Sequence, residues 1–404
     1  MDDLPIGRRV AYWRGRRKMS QQQFADAVGK SKSWVDKVER GVRRLDKVSI
    51  LEDIADALRV DLRLLLGKDG ARQRGAGGPD EEAVDAVRGA LARWGPARMG
   101  VTRAAPTLGE MGKAVTHAWL TYEHARYADL LRTLPRLLLG ADLLHAEHPR
   151  DPAAGRRLAE VYQLTSTVMG KLGVTDLAWL AADRALTASQ DTGDRLLTGA
   201  SAAQLGHALL AQGQARHAME VSIAMANRLA PPQPLAAPAE HLSVYGTLLT
   251  TAALGAAALG YADDVDDLLA QAAEASTGVD EGQDHYRTAF GPVAVELARV
   301  AATVELGDGS ALDTGAHRRL VDGPDWRRLP PERRAAYLLD VARGHLQAGD
   351  VAGADQAVVI ADRVASAEIR ARPLGREVLA TVLRRSPTAS ADVLRVADEA
   401  GVSV

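Results

Sequence analysis

The chain contains no cysteine. That excludes a disulfide framework, a thiolate metal site and a cysteine nucleophile together. Aromatic residues are scarce, at 4% with only two Phe, and strands favour aromatic and β-branched side chains, so a sheet-rich core is not expected. Ala, Leu and Arg dominate instead, and they favour helix. A convincing membrane span is also missing. Residues 242–262 carry no charge and are long enough to cross a bilayer, but Ser243, Gly246, Thr247, Thr250, Thr251 and Gly255 make them weakly apolar. Asp263, Asp264, Asp266 and Asp267 follow at once. Such a segment reads as a helix buried inside a helical protein. The start, Met1-Asp2-Asp3-Leu4-Pro5, is acidic and lacks the apolar run of a secretory signal. With 47% hydrophobic and 25% charged residues over 404 positions, disorder is excluded for the bulk of the chain. The expectation is an all-α, cytoplasmic protein without a membrane partner.

The net charge of −2 hides an asymmetry. Residues 1–75 hold 18 basic against 11 acidic side chains, a balance of +7, and the remainder carries −9. A basic end on an acidic body implies an anionic partner for that end, and nucleic acid and a membrane surface both fit. Between the two lies 67–79, with five glycines in thirteen positions, which reads as a flexible linker. Its Gly75-x-Gly77-Gly78 has no strand before it, so it is not a dinucleotide loop.

Ahead of the linker, residues 1–66 read as five short helices: 6–17, 21–28, 31–40, 47–58 and 61–66. Ser20, Ser31 and Asp46 stand as N-caps, and Gly29 and Gly41 as stops. Phe24, Ala25, Val28, Val35 and Val38 form the apolar set. A small Ala lets two helices cross closely, Gly29 supplies a positive φ, and the paired Val pin the second helix to the first. The run Met19-Ser-Gln-Gln-Gln-Phe-Ala, followed by Ser31-Lys-Ser-Trp-Val-Asp-Lys-Val-Glu-Arg-Gly41, resembles the lambda-repressor/Cro-type (xenobiotic-response-element, XRE) helix-turn-helix family. The resemblance implies that the helix from Ser31 enters the major groove of double-stranded DNA. Ser31, Lys32, Ser33 and Lys37 would then be its outward polar positions, with lysine suited to guanine acceptors. It implies phosphate contacts for Gln21, Arg40, Arg43 and Arg44, with Arg8, Arg9, Arg14, Arg16, Arg17 and Lys18 as further candidates. Trp34 stands between two roles, a thymine-methyl contact in the groove or packing on the first helix.

Residues 80–404 show a recurring glycine after apolar stretches, at Gly173, Gly213, Gly260, Gly307 and Gly349, spaced 40, 47, 47 and 42 residues apart. A period of that length indicates stacked helical hairpins. Small residues recur around it, at Ser166, Gly206, Ala253 and Ala342 before the glycine and Ala178, Ala218 and Ala354 after it. This pattern, clearest in Gly349-Asp-Val-Ala-Gly-Ala354 and Gly213-Gln-Ala-Arg-His-Ala218, resembles the tetratricopeptide repeat (TPR). Loops such as Pro231-Pro-Gln-Pro and Gly278-Val-Asp-Glu-Gly-Gln account for a spacing beyond the usual repeat. The stretch 100–150 shows no clear repeat. The C-terminal part resembles the TPR-type halves of actinobacterial helix-turn-helix regulators.

No catalytic constellation emerges, and neither a cofactor nor a metal is expected. His145, Glu147 and His148 sit at a helix end, His117 and His124 lack a third ligand, and the aspartates at 263–267 lack the glycine and terminal glutamate of a calcium loop. There is no Gly-x-Ser-x-Gly elbow, phosphate loop or His-Glu-x-x-His. The reading is a one-component transcription regulator, nucleoid-associated when bound to DNA, whose body forms a homodimer and senses a peptide or small-molecule effector. Tyr162, Gln204, His207, Tyr245, Arg299, Tyr337 and Arg343 are the candidates to line the effector groove. The competing reading is a protein–protein adaptor with an accessory DNA-binding head. Co-purification discriminates them, because an adaptor retains a stoichiometric foreign protein.

Overall fold

A computed structural model describes residues 6–17, 19–40, 54, 57–58, 80–92, 104–232, 237–309, 314–386 and 389–402. Among these residues every regular element is helical. The chain divides into two compact units, Met1–Ala76 and Gly77–Val404.

In the first unit, α1 (Ile6–Arg16), α2 (Gln21–Ala27) and α3 (Lys32–Glu39) surround Val10, Phe24, Ala25, Val28, Trp34, Val35 and Val38, joined by Ile54 and Leu58. Ser20 starts α2 through a capping box: its hydroxyl accepts from Gln23 N (3.2 Å), and Gln23 Oε1 accepts from Ser20 N (2.8 Å). Gly29 closes that helix with φ at 61°. The expected helices over 47–58 and 61–66 fall almost entirely outside the described residues, as do Gly41, Arg43, Arg44 and the linker 67–79.

The second unit begins with α4 (Glu81–Ala92) and continues as helical hairpins. These pair α5 (Leu108–Glu123) with α6 (Tyr127–Glu147), α7 (Pro152–Lys171) with α8 (Thr175–Gln190), and α9 (Arg195–Ala211) with α10 (Ala215–Leu229). Next come α11 (Ala239–Ala258) with α12 (Ala262–Ser276), then α13 (Pro292–Glu305), which packs on α11 and α15, then α14 (Thr314–Asp322), and α15 (Pro331–Gln347) with α16 (Val351–Val364). Short helices α17 (Ser366–Arg370), α18 (Pro373–Arg385) and α19 (Ala391–Ala400) close the unit.

The five glycines of the repeat pattern close α7, α9, α11, α13 and α15 with φ between 73° and 82°. In each turn the next residue's N–H reaches back five positions, as in Val174 N to Met169 O (2.9 Å) and Gln214 N to Leu209 O (2.9 Å). This is the Schellman closure, which satisfies the last helical carbonyls. The α5–α6 turn makes the same bond, Arg126 N to Thr121 O (3.1 Å), with Ala125 in the left-handed position at φ 54°. An alanine there hides this hairpin from a search for glycines. The flanking small residues are buried: Ala178, Ala218, Ala253, Ala342 and Ala354 are fully enclosed. A Cβ on Gly206 would come within 2.7 Å of both Ser222 and Thr251. The apolar stretch at 242–262 is mostly α11, a helix packed on both sides; no helix among the described residues is long and apolar enough to cross a membrane.

The hairpins curl until distant parts of the unit touch. Lys171 at the end of α7 pairs with Glu332 of α15 and with Glu368 of α17 (3.1 Å). Glu368 also binds Arg372 (2.9 Å) and accepts the Tyr127 hydroxyl proton from α6. Glu332 and Glu368 are buried. The inner helices thus curve around a space that stays partly open.

Candidate functional site

In the first unit, α3 turns two kinds of side chain in opposite directions. Val35 and Val38 are fully buried, whereas Ser31, Lys32, Ser33, Lys37 and Arg40 are exposed. The Ser31 hydroxyl accepts from Trp34 N (3.1 Å), fixing the start of the helix, and keeps its proton for another acceptor. Arg40 pairs with Asp36 (2.6 Å) on the surface. Trp34 is 9% exposed and belongs to the core, so of its two expected roles the structure shows packing.

Glu39 anchors the arrangement. Its buried carboxylate takes a two-bond grip from Arg14, at 2.6 and 3.0 Å, and a third bond from the Gln21 amide at 2.9 Å. Arg14 also donates to Met19 O (2.7 Å) in the connection before α2. The carboxylate, by hydrogen bonding and by charge, raises the Arg14 pKa above its already high value. One ion pair therefore locks α1, the α1–α2 connection and the C-terminal end of α3. Arg14 and Arg9 are used inside the unit, the latter 2% exposed, and Arg17 donates to Leu58 O (2.8 Å). Arg8 and Arg16 are exposed. Lys18 lies outside the described residues.

The second unit holds a cavity of about 670 Å³, within the size range of small-molecule sites. Its walls come from α5, α7, α9, α11 and α15, with small residues such as Gly170, Ala200 and Ala203 leaving room along the floor. Gln163 donates to Ser201 (2.8 Å) and Gln204 to Ser166 (3.2 Å), two mirrored bonds that tie α7 to α9. Trp119, Tyr122 and Phe290 supply aromatic surface, and the indole nitrogen of Trp119 is buried without a partner.

His207 lines this cavity and is exposed to solvent there. Desolvation by the protein packed around the ring, with the charges of Arg333 and Lys171, brings its pKa down to about 4. The Thr251 hydroxyl donates its proton to Thr247 O (2.8 Å), so the 3.3 Å contact with His207 has Nε2–H donating to Thr251. That tautomer leaves Nδ1 as a neutral acceptor.

Of the expected groove residues, only Gln204 and His207 line the cavity. Tyr162 is buried with its hydroxyl on Asp142 (3.0 Å), and Tyr337 is buried against Trp326 and within 2.9 Å of His317. Tyr245 is half-buried beside the core of α10–α13. Arg299 is exposed near Glu296, and Arg343 pairs with Glu305 (3.1 Å) and Asp340 (3.3 Å). Among the charged residues that do line it, Lys171, Glu332, Arg333 and Arg372 were not anticipated, because they meet only through the curl of the hairpins. The loop 278–291 gave the available signal as an insertion stretching the spacing between Gly260 and Gly307.

Residues 5–66 match the helix-turn-helix domain family. No curated protein matches the chain. A solved structure with partial likeness is PlcR of Bacillus thuringiensis, in complex with the peptide PapR7 and DNA. It shows 12% sequence identity over 66% of this chain and 92% of that one, with a TM-score of 0.24.

Proposed function

We propose that this chain is a sequence-specific DNA-binding transcription regulator whose helical body dimerises and responds to a peptide or small-molecule effector. The carrying observation is the exposed row Lys32, Ser33 and Lys37 on a helix held from behind by Val35, Val38 and the Arg14–Glu39 pair. A rigid helix with polar donors on its free face, in a unit carrying +7, suits base edges flanked by phosphates. On this reading Lys32, Ser33 and Lys37 meet bases. Ser31, Gln21, Arg40, Arg43 and Arg44 meet the backbone.

For the body, a cavity of small-molecule size with a neutral acceptor at His207 supports the sensor reading over the adaptor. The effector would offer a hydrogen-bond donor to His207 Nδ1. The test is the affinity of the full chain for duplex DNA at several salt concentrations. Because neutralised phosphates release counterions, affinity should fall steeply between about 50 and 200 mM salt. Affinity that does not change over that range contradicts the proposal.

A further inference from the structure

The loop between α12 and α13 forms one side of the cavity, with Glu281, Gln283, Asp284, Arg287, Thr288 and Phe290 among its lining residues. Its backbone is unusual. Tyr286, Arg287 and Ala289 all have left-handed φ, at 53°, 60° and 42°. None is a glycine, and side chains are disfavoured in that region. Such a path persists only where surrounding contacts hold it.

Those contacts come from α15 and from the N-terminal ends of α7 and α9. On one wall, Arg333 of α15 donates to Thr288 O (2.6 Å) and Ala289 O (2.9 Å), and Glu281 accepts from Val293 N (2.5 Å) at the start of α13. Outside the cavity lining, the Tyr286 hydroxyl donates to Asp194 (3.1 Å), the N-cap of α9, and Arg156 of α7 lies 5.2 Å from the Tyr286 ring centre. At its end the loop drops Phe290 onto Gly246 of α11, where a Cβ would come within 2.0 Å of the ring. A strained segment that lines the cavity and is fastened to three of the helices around it has the construction of a lid.

We propose that residues 280–290 are a strap across the cavity, and that the effector is a compact molecule admitted when the strap lets go and enclosed when it refastens. The inference rests on reading the body as a sensor and narrows the effector class. An extended peptide running along the inner helices would collide with the strap, whereas a compact ligand fits beneath it. The strain makes release easy, and the Arg333, Tyr286 and Phe290 contacts restore closure.

The natural chain has no cysteine, so a single thiol reports on access without background. Thr167 lines the cavity, and its hydroxyl bonds only within α7, to Gln163 O (2.9 Å). The experiment places Thr167→Cys in the full chain and measures its reaction with Ellman's reagent. A second chain with Ala27→Cys, exposed on α2, serves as the control. With the strap in place, the Thr167→Cys thiol should react about tenfold or more slowly than the control. Adding Arg333→Ala or Tyr286→Phe should speed it several-fold. Adding Ala289→Gly should slow it further, since glycine relieves the left-handed strain and favours closure. That last direction separates a strap from general loosening, which accelerates every thiol, and circular dichroism confirms that each variant is folded. Equal rates for Thr167→Cys in all backgrounds, matching the control, would overturn the strap. Because no effector is added, that result would leave the sensor reading to be judged separately by effector-dependent DNA binding.

Discussion

Glu39 is the residue on which the DNA-binding unit turns, because a buried carboxylate with three donors costs heavily once its cation is gone. Arg14→Ala should destabilise the unit by about 3–5 kcal/mol. Hydrogen exchange of the α2 and α3 amides measures this, and unchanged protection would contradict it. On the outer face of α3, Lys32→Ala and Lys37→Ala should each cost about 1–3 kcal/mol of operator affinity and relax preference at one base pair. Arg40→Ala, next to Asp36 and away from the helix start, should weaken all sequences alike. A panel of single-base operator variants separates the two behaviours. In the body, His207 should stay neutral at pH 6, and its ring signals in a proton NMR titration should move only near pH 4. Its folded value lies below the unfolded value of 6.5, so it removes stability as pH falls from 6.5 towards 4. A midpoint near 6.5 would show a solvated ring and remove the acceptor role.

At the scale of elements, the hairpin turn is the repeating unit, and its glycine is needed for backbone shape, joined at Gly173 by the close approach of Pro373. Nothing lies within 4 Å of a Cβ on Gly213, yet φ is 73°. Gly213→Ala should therefore lower stability by about 1–2 kcal/mol through the left-handed backbone alone, read as a lower thermal midpoint. These turns were legible in the sequence because a glycine at fixed spacing is a local signal. Ser20 and Ser31 were legible for the same reason, as caps directly before an apolar run. The 108–147 hairpin was not, because Ala125 occupies the left-handed position without announcing it. Trp34 was ambiguous since both of its roles put an aromatic ring at the same register. The cavity was the least legible feature: Lys171 and Glu368 are 197 positions apart, and no local pattern records that they meet. Tyr162 and Tyr337 satisfied a rule of polar aromatics on inner helices, but their hydroxyls find partners inside the packing.

For the whole molecule, the Lys171–Glu368–Arg372 cluster holds the curl of the body closed. Burial opposes the Glu368 charge, but Lys171 and Arg372 outweigh it and keep the carboxyl below 4.5. Its contribution is present above pH 4.5 and disappears as pH falls through the depressed value. Glu368→Gln should destabilise the body by about 3–5 kcal/mol at pH 7, with the gap from the natural chain narrowing below pH 4.5. Thermal unfolding across pH 3–7 tests this, and a gap that is constant with pH would contradict it.

The proposed dimerisation belongs to the same scale, since on that reading one head would read a single half-site and two would be needed for a two-fold operator. Ile360 on α16 and Leu394 on α19 are 47% and 54% exposed, on helices bridged by Arg363 and Asp392 at 2.7 Å. Ile360→Glu with Leu394→Glu should weaken the dimer in sedimentation without unfolding the body. The most direct measurement of the central claim is selection of duplexes from a randomised pool by the full-length chain. The account predicts enrichment of one motif repeated with two-fold symmetry, lost on Lys32→Ala with Lys37→Ala while the variant remains folded. A bound pool with the same sequence distribution as the input would contradict it.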